Sequence, residues 1–196
     1  MSKRRLYWVV LVLAAMFFPN LSCAADFTAA QVRELLAKAD SQKPADLMGK
    51  DLSDLDLSNI DFKRADLSAS SMLSLVILGG EVKERPNFAG ANLSGVRMIA
   101  NLPGANLRGA NLSRANLGVD IKNQGMGQMR MDLTSANLAD ADLHDADLSR
   151  ALMMFADLKG ANFTEADLDG TILKNVKGLN AAKGMDKAMN RDRAVY

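Results

Sequence analysis

The sequence predicts an all-β solenoid, a chain wound into stacked coils with its large apolar side chains turned inward. Three observations carry this. A large apolar residue recurs at every fifth position, a small residue, usually Ala, stands two before it, and Asp or Asn stands immediately before it. The pattern is plain in Ala105-Asn106-Leu107-Arg108-Gly109 and Ala110-Asn111-Leu112-Ser113-Arg114, and again in Ala141-Asp142-Leu143-His144-Asp145 and Ala146-Asp147-Leu148-Ser149-Arg150. A period of five fits neither an α-helix, which would scatter the leucines around its surface, nor a flat strand, which would send alternate ones to opposite faces. A coil that turns every five residues returns each centre to one interior.

Twenty-three such centres run from Leu47 to Ile77, Phe88 to Met98, Leu102 to Leu117 and Leu133 to Leu173. The small residue two before each centre fills the corner beside its neighbour, and the Asp or Asn before it suits a tight turn by bonding nearby backbone groups. Ten Asp, from Asp46 and Asp51 through Asp157 and Asp167, occupy this turn position and are read as structural. Over residues 45–175 the chain resembles the pentapeptide-repeat family, whose motif is A-[D/N]-L-x-x. The resemblance implies a right-handed quadrilateral β-helix with one pentapeptide per side. At four repeats per coil the ladder makes nearly six coils, stacked at roughly 4.8 Å each.

The 196 residues leave room for one domain, and 48% hydrophobic with 5% aromatic residues means an aliphatic core. The first residues read as an export signal. Lys3, Arg4 and Arg5 precede an apolar run from Leu6 to Phe18, a Pro19-Asn20 break and small residues through Ala25. Thirteen apolar residues are too few to span a bilayer comfortably. Residues 1–24 are therefore expected to be a signal peptide, cut after Ala24 or, alternatively, after Ala25, placing the protein in the periplasm or outside the cell. Cys23 opens a second route, a lipid anchor on a new N-terminus, although Asn20 and Leu21 fit a lipobox only in part. A cut downstream of Cys23 leaves no cysteine, so stability must come from the repeat rather than from disulfides.

A stacked solenoid has open ends that would pair with other chains unless covered. Thr28 to Gln31 reads as a capping box with Phe27 and Val32 as its hydrophobic staple, starting a helix from about Ala29 to Ala39 whose apolar stripe is Val32, Leu35, Leu36 and Ala39. Pro44 separates residues 25–44, the capping helix and linker, from the first coil. Lys50 stands where Ala is usual, marking the first coil as imperfect and covered by the cap. Residues 176–196 read as a short, partly helical C-terminal cap, with Leu179, Ala182, Met185 and Met189 at helical spacing. Its five basic and two acidic residues make it a solvated, cationic segment.

The period breaks three times, at 78–87, 99–103 and 118–131. Met98 to Leu102 is one residue short and Leu117 to Leu133 one residue over, and the two breaks lie four repeats apart. They are expected at one corner of the coil, one turn apart, and the first break joins them if it conserves two repeats. One irregular edge results, and insertions that decorate one face of a solenoid mark its functional surface.

Chemistry is sparse. Met126, Met129 and Met131, with His144 and the pair Met153-Met154, suggest soft-metal capture, since Met and His suit Cu(I). Met is also the usual filler of irregular apolar gaps. No Gly-rich phosphate loop, Cys-based metal site or Ser-His-Asp set is present, so no catalytic, cofactor or metal residue is assigned and an enzyme is not expected. Some cytosolic pentapeptide-repeat proteins mimic DNA and protect DNA gyrase. Residues 45–175 carry 18 acidic and 13 basic side chains, a weak charge for such mimicry. The sequence thus points to an exported, non-catalytic protein-interaction or scaffolding module with an unknown protein partner and no nucleic acid or membrane span. Its alternatives are a Met-rich copper-binding protein and, behind that, a DNA mimic. Phe155 and Tyr196 are candidates for an end-to-end contact if exposed, and oligomeric state stays open.

Overall fold

The computed structural model describes residues 26–40, 42–57, 60–63, 65–73, 86–119 and 130–196. The expected signal peptide 1–24, Cys23, the centre Ile77, Met126 and Met129 lie outside the described residues. The other 22 centres, including Phe62, Met98, Leu143 and Phe163, are all at most 1% exposed and form one continuous core. The five-residue period therefore does what it demands, bringing each large side chain back to a shared axis.

Backbone pairing is parallel throughout and falls into four ladders. The first runs Asp46, Asp66, Asn92, Asn111, Asp142, Asn162 and Lys183. The second starts at Asp51 and takes in the two named strands, β1 (Ser71–Leu73) and β2 (Arg97–Ile99), whose register sets Met72 against Met98. The third runs Asn101, Asp132, Leu152, Ile172 and Val195, and the fourth Asp61, Asn87, Asn106, Asn137, Asp157 and Lys177. Strands are short because each side bends after three residues.

The bend is a hydrogen-bonded turn. The carbonyl of most centres accepts from the N–H three residues on, as in Ala110 to Leu107 at 3.0 Å and Ala141 to Leu138 at 3.0 Å. The residue two after the centre takes positive φ, as at Gly109 (64°), Arg114 (58°) and Asp145 (57°), which is the third position of a type II turn. Most of the Asp and Asn residues before a centre accept from the N–H two residues on, as His144 donates to Asp142 at 3.1 Å; Asn101 is an exception, since Pro103 has no N–H to give. At several rungs where Asn follows Asp or Asn in the next coil, its amide also donates along the ladder, as Asn162 does to Asp142 at 2.9 Å. Two hydroxyls replace Ala in the buried corners, and both are satisfied. Ser70 donates to the Leu67 carbonyl at 2.7 Å and Thr171 to the Leu148 carbonyl at 2.8 Å.

Helix α1 (Ala29–Lys38) starts at Thr28, whose Oγ1 accepts from the Gln31 N–H at 3.3 Å while the Gln31 side chain accepts from the Thr28 N–H at 2.7 Å. It lies on the first coil with Val32 fully buried. Asp26 and Asp51 exchange two bonds there, both at 2.8 Å. The Lys50 ammonium stands 6.0 Å from the centre of the Phe27 ring, which gives this corner cation its neighbour.

Residues 177–195 do not follow the helical spacing expected of Leu179, Ala182, Met185 and Met189. They wind a further coil with a six-residue period, Lys177, Lys183, Met189 and Val195 each pairing with the coil beneath. Helical structure is confined to two three-residue 3₁₀ turns, Leu179–Ala181 and Arg191–Arg193. Left-handed residues at Gly178, Gly184 and Asn190 interrupt any α-helix, and the N–H groups of Lys183, Met189 and Val195 are spent on Ala161, Ala166 and Thr171. The inward positions are small, Ala182, Ala188 and Ala194, so this coil closes over Phe163, Leu168 and Leu173 with Leu179 and Met185 packed against the core.

Candidate functional site

The short interval, Arg97 to Asn101, and the long one, Asn116 to Asp132, both fall between the second and third ladders. The break at 78–87 lies mostly in residues 74–85, outside the described residues, between Leu73 of the second ladder and Pro86 before the fourth. The third ladder therefore begins at an edge where the repeat is irregular in two successive coils.

On this ladder the outward residue changes character. Asn101 and Asp132 are followed by Leu152, Ile172 and Val195 at positions that hold Asp or Asn in most repeats. Leu152 and Ile172 are partly exposed and stand apart from the core cluster, and Val195 is 42% exposed. Met154 and Phe155 follow on the same side in the Leu152 coil, and Tyr196 follows Val195; Phe155 and Tyr196 are each 51% exposed. The backbone beneath is fully paired, Met153 donating to Ile172 at 2.9 Å and Leu173 to Val195 at 2.7 Å. The result is a rigid apolar strip on the outside of the solenoid.

Cations border it. Arg150 stands at the corner before Leu152 and Lys174 stands two residues after Ile172; both are exposed and neither forms an ion pair among the described residues. Arg193 is engaged by Asp169 at 3.0 Å. Two surface pairs, Arg108–Asp140 and Arg114–Asp145, both at 3.8 Å, sit on other corners and contribute little.

The remaining sequence candidates are dispersed. Met131 is 1% exposed in a corner position that Ala usually fills, and Met153 is a core centre, so neither is a surface ligand. His144 donates from Nδ1 to the Thr164 carbonyl at 3.0 Å on the first ladder, on a different side from the strip. Among the described residues no group of three or more His, Cys, Asp or Glu is placed to hold a metal ion, and no helix is long and apolar enough to cross a membrane. Sequence reasoning singles out Phe155 and Tyr196 but passes over Leu152 and Ile172. Their signal is the loss of Asp or Asn before the centre.

Fold and surface define a parallel β-solenoid with five-residue sides and no assembled catalytic group among its described residues. A family model for pentapeptide repeats matches residues 100–118 and 136–175 in eight copies, and the chain is a pentapeptide-repeat protein. Among solved structures it is similar to Rfr23 from the cyanobacterium Cyanothece 51142, at 19% identity over 84% of this chain and 99% of that one, with a TM-score of 0.37. QnrB1, a plasmid-mediated fluoroquinolone resistance protein, matches at 19% identity over 70% and 71%, with a TM-score of 0.30. HetL from Nostoc sp. strain PCC 7120, a protein involved in heterocyst differentiation regulation, matches at 22% identity over 86% and 94%, with a TM-score of 0.24. No curated protein matches the sequence.

Proposed function

We propose that this chain is an exported, non-catalytic protein-interaction or scaffolding module of the periplasm. Its coil is right-handed and quadrilateral, closed at one end by α1 and at the other by the six-residue coil. The observation that carries the binding role is the outward ladder Leu152, Ile172 and Val195, because apolar side chains at positions that hold turn-forming Asp or Asn in most repeats are not needed by the fold. Export rests on the basic, apolar and small-residue order of the first 25 residues.

Two measurements test this. Cell fractionation followed by intact mass should recover a soluble periplasmic species beginning at Ala25. A species beginning at acylated Cys23 would make it a lipoprotein, and full-length chain in the cytosol would overturn export. A photo-crosslinking amino acid placed at Phe155 should capture one dominant protein in cells, and the capture should disappear when Leu152→Asn and Ile172→Asn are added. Capture that persists in that background would remove the strip from the binding role.

A further inference from the structure

Resting on the reading that the third-ladder strip binds a protein, the geometry and charge of that strip specify the kind of segment it takes. We propose that it receives a short extended stretch of a partner protein, with two apolar side chains on one face and carboxylates at its edges.

Size argues first. Three rungs at ~4.8 Å and a width of a few residues give an apolar area on the order of 250 Å². A stable interface between two folded proteins needs about 800 Å² on each, so the strip alone does not supply one. An extended segment rises ~3.3 Å per residue, so four to five residues cover the three rungs. Shape argues next. The strip is held by parallel backbone pairing on both sides of Ile172, so its side chains offer a fixed surface that loses little entropy when it is covered.

Charge selects the chemistry. Arg150 and Lys174 flank the strip at successive coils, exposed and without an ion pair among the described residues. Carboxylates also stand near these faces: Asp132 one rung before Leu152, Asp169, engaged by Arg193, and Asp192, three residues before Val195 in the terminal coil. An apolar track with two uncommitted cations at its borders complements an apolar segment with acidic flanks, and repels a basic one.

The test uses the full chain and a phage-displayed random hexapeptide library, counter-selected on the Leu152→Asn/Ile172→Asn variant. Both substitutions restore the residue type of the regular repeat, so the coil should fold unchanged. Phe155→Asn, at an exposed left-handed position that suits Asn, provides a second variant should the first fail to fold. The expected result is enrichment of sequences with apolar residues at alternate positions and Asp or Glu beside them. The best of these, made as a labelled peptide, should bind at least tenfold more weakly to Leu152→Asn/Ile172→Asn or to Phe155→Asn, and at least threefold more weakly to Arg150→Ser/Lys174→Ser. Selection with no dependence on the strip, or selection of neutral or basic sequences, would overturn the proposal. So would strip-dependent binding to phosphatidylglycerol vesicles, or a strip-dependent dimer in sedimentation. If crosslinking at Phe155 still captures a partner while no acidic peptide is selected, the inference fails and the binding role stands; if neither occurs, both fail.

Discussion

Gly178 and Gly184 hold the last coil down, and a single methyl group on either should lift it. Both are left-handed, at φ of 69° and 70°, and so is Gly109 at 64° in an interior coil. The three differ in what a Cβ would meet. At Gly109 nothing lies within 4 Å, so Ala there carries the backbone penalty alone. That penalty is about 1–2 kcal/mol, offset in part by about 0.4–1 kcal/mol from the stiffer unfolded chain, for a net of about 1 kcal/mol. At Gly178 a Cβ would stand 2.7 Å from both the Cα and the N of Lys159, and at Gly184 it would strike the Thr164 hydroxyl and come within 2.5 Å of the Thr164 N. Backbone cannot swing aside as a long side chain can, so overpacking adds about 1–3 kcal/mol and the total is about 2–4 kcal/mol. A solenoid is stabilised by nearest neighbours, so the loss should fall on the terminal coil. Hydrogen exchange at the Lys183, Met189 and Val195 amides reads it directly, because these donate to the coil beneath at 2.8, 2.9 and 2.9 Å. Their protection should fall roughly 30- to 700-fold in Gly178→Ala or Gly184→Ala, at tenfold per 1.4 kcal/mol, and stay unchanged in Gly109→Ala. Equal loss in all three variants would refute the close approach as the cause.

Further outcomes follow from the same structure. Phe88 stacks on Phe62 with ring centres 5.0 Å apart, so Phe88→Ala should cost about 3–5 kcal/mol in urea unfolding. Phe88→Leu, which installs the usual centre, should cost less than about 1.5 kcal/mol. In α1 the hydrogen bond and charge of Lys38 hold the Glu34 carboxyl below its ordinary value. After α1 the N–H groups of Lys43 and Gln42 do the same for Asp40. A carboxyl that titrates lower folded than unfolded stabilises fully above its unfolded pKa and loses that contribution as pH falls through the folded value. NMR titration should therefore place both midpoints below those of unstructured Glu and Asp, with the hydrogen bonds to each carboxylate weakening as it takes up its proton; midpoints at ordinary values would contradict that geometry. Because Met131 is buried, Cu(I) titration should give the same affinity for the protein and for its Met126→Leu/Met129→Leu/Met131→Leu variant, and a clear drop in affinity would revive the metal reading.

Much of the fold is legible in the sequence because its cause is local. A large apolar residue every five positions admits one way of burying all of them, and the Asp or Asn before each supplies a side-chain acceptor for the turn that the period requires. The left-handed fifth residue is harder to see, because Arg114, Asp145 and Phe155 serve there as well as Gly109, and coil-to-coil packing outweighs their local preference. The terminal coil reads as partly helical because Leu179, Ala182, Met185 and Met189 fit a helical spacing as readily as a six-residue one. What decides between them is a neighbour some twenty residues earlier in the chain, whose carbonyls take the N–H groups that a helix would have used. The strip lies in plain sight as two departures from Asp or Asn, but a single departure in a repeat means little by itself. Stacking sets Leu152, Ile172 and Val195 on one ladder and leaves Arg150 and Lys174 beside them, and position across coils is a property of register, which insertions elsewhere in the chain control. The period, the core and the aliphatic ladder follow from residue order within single repeats; which outward residues become neighbours follows from stacking, because that depends on how many residues separate them along the winding.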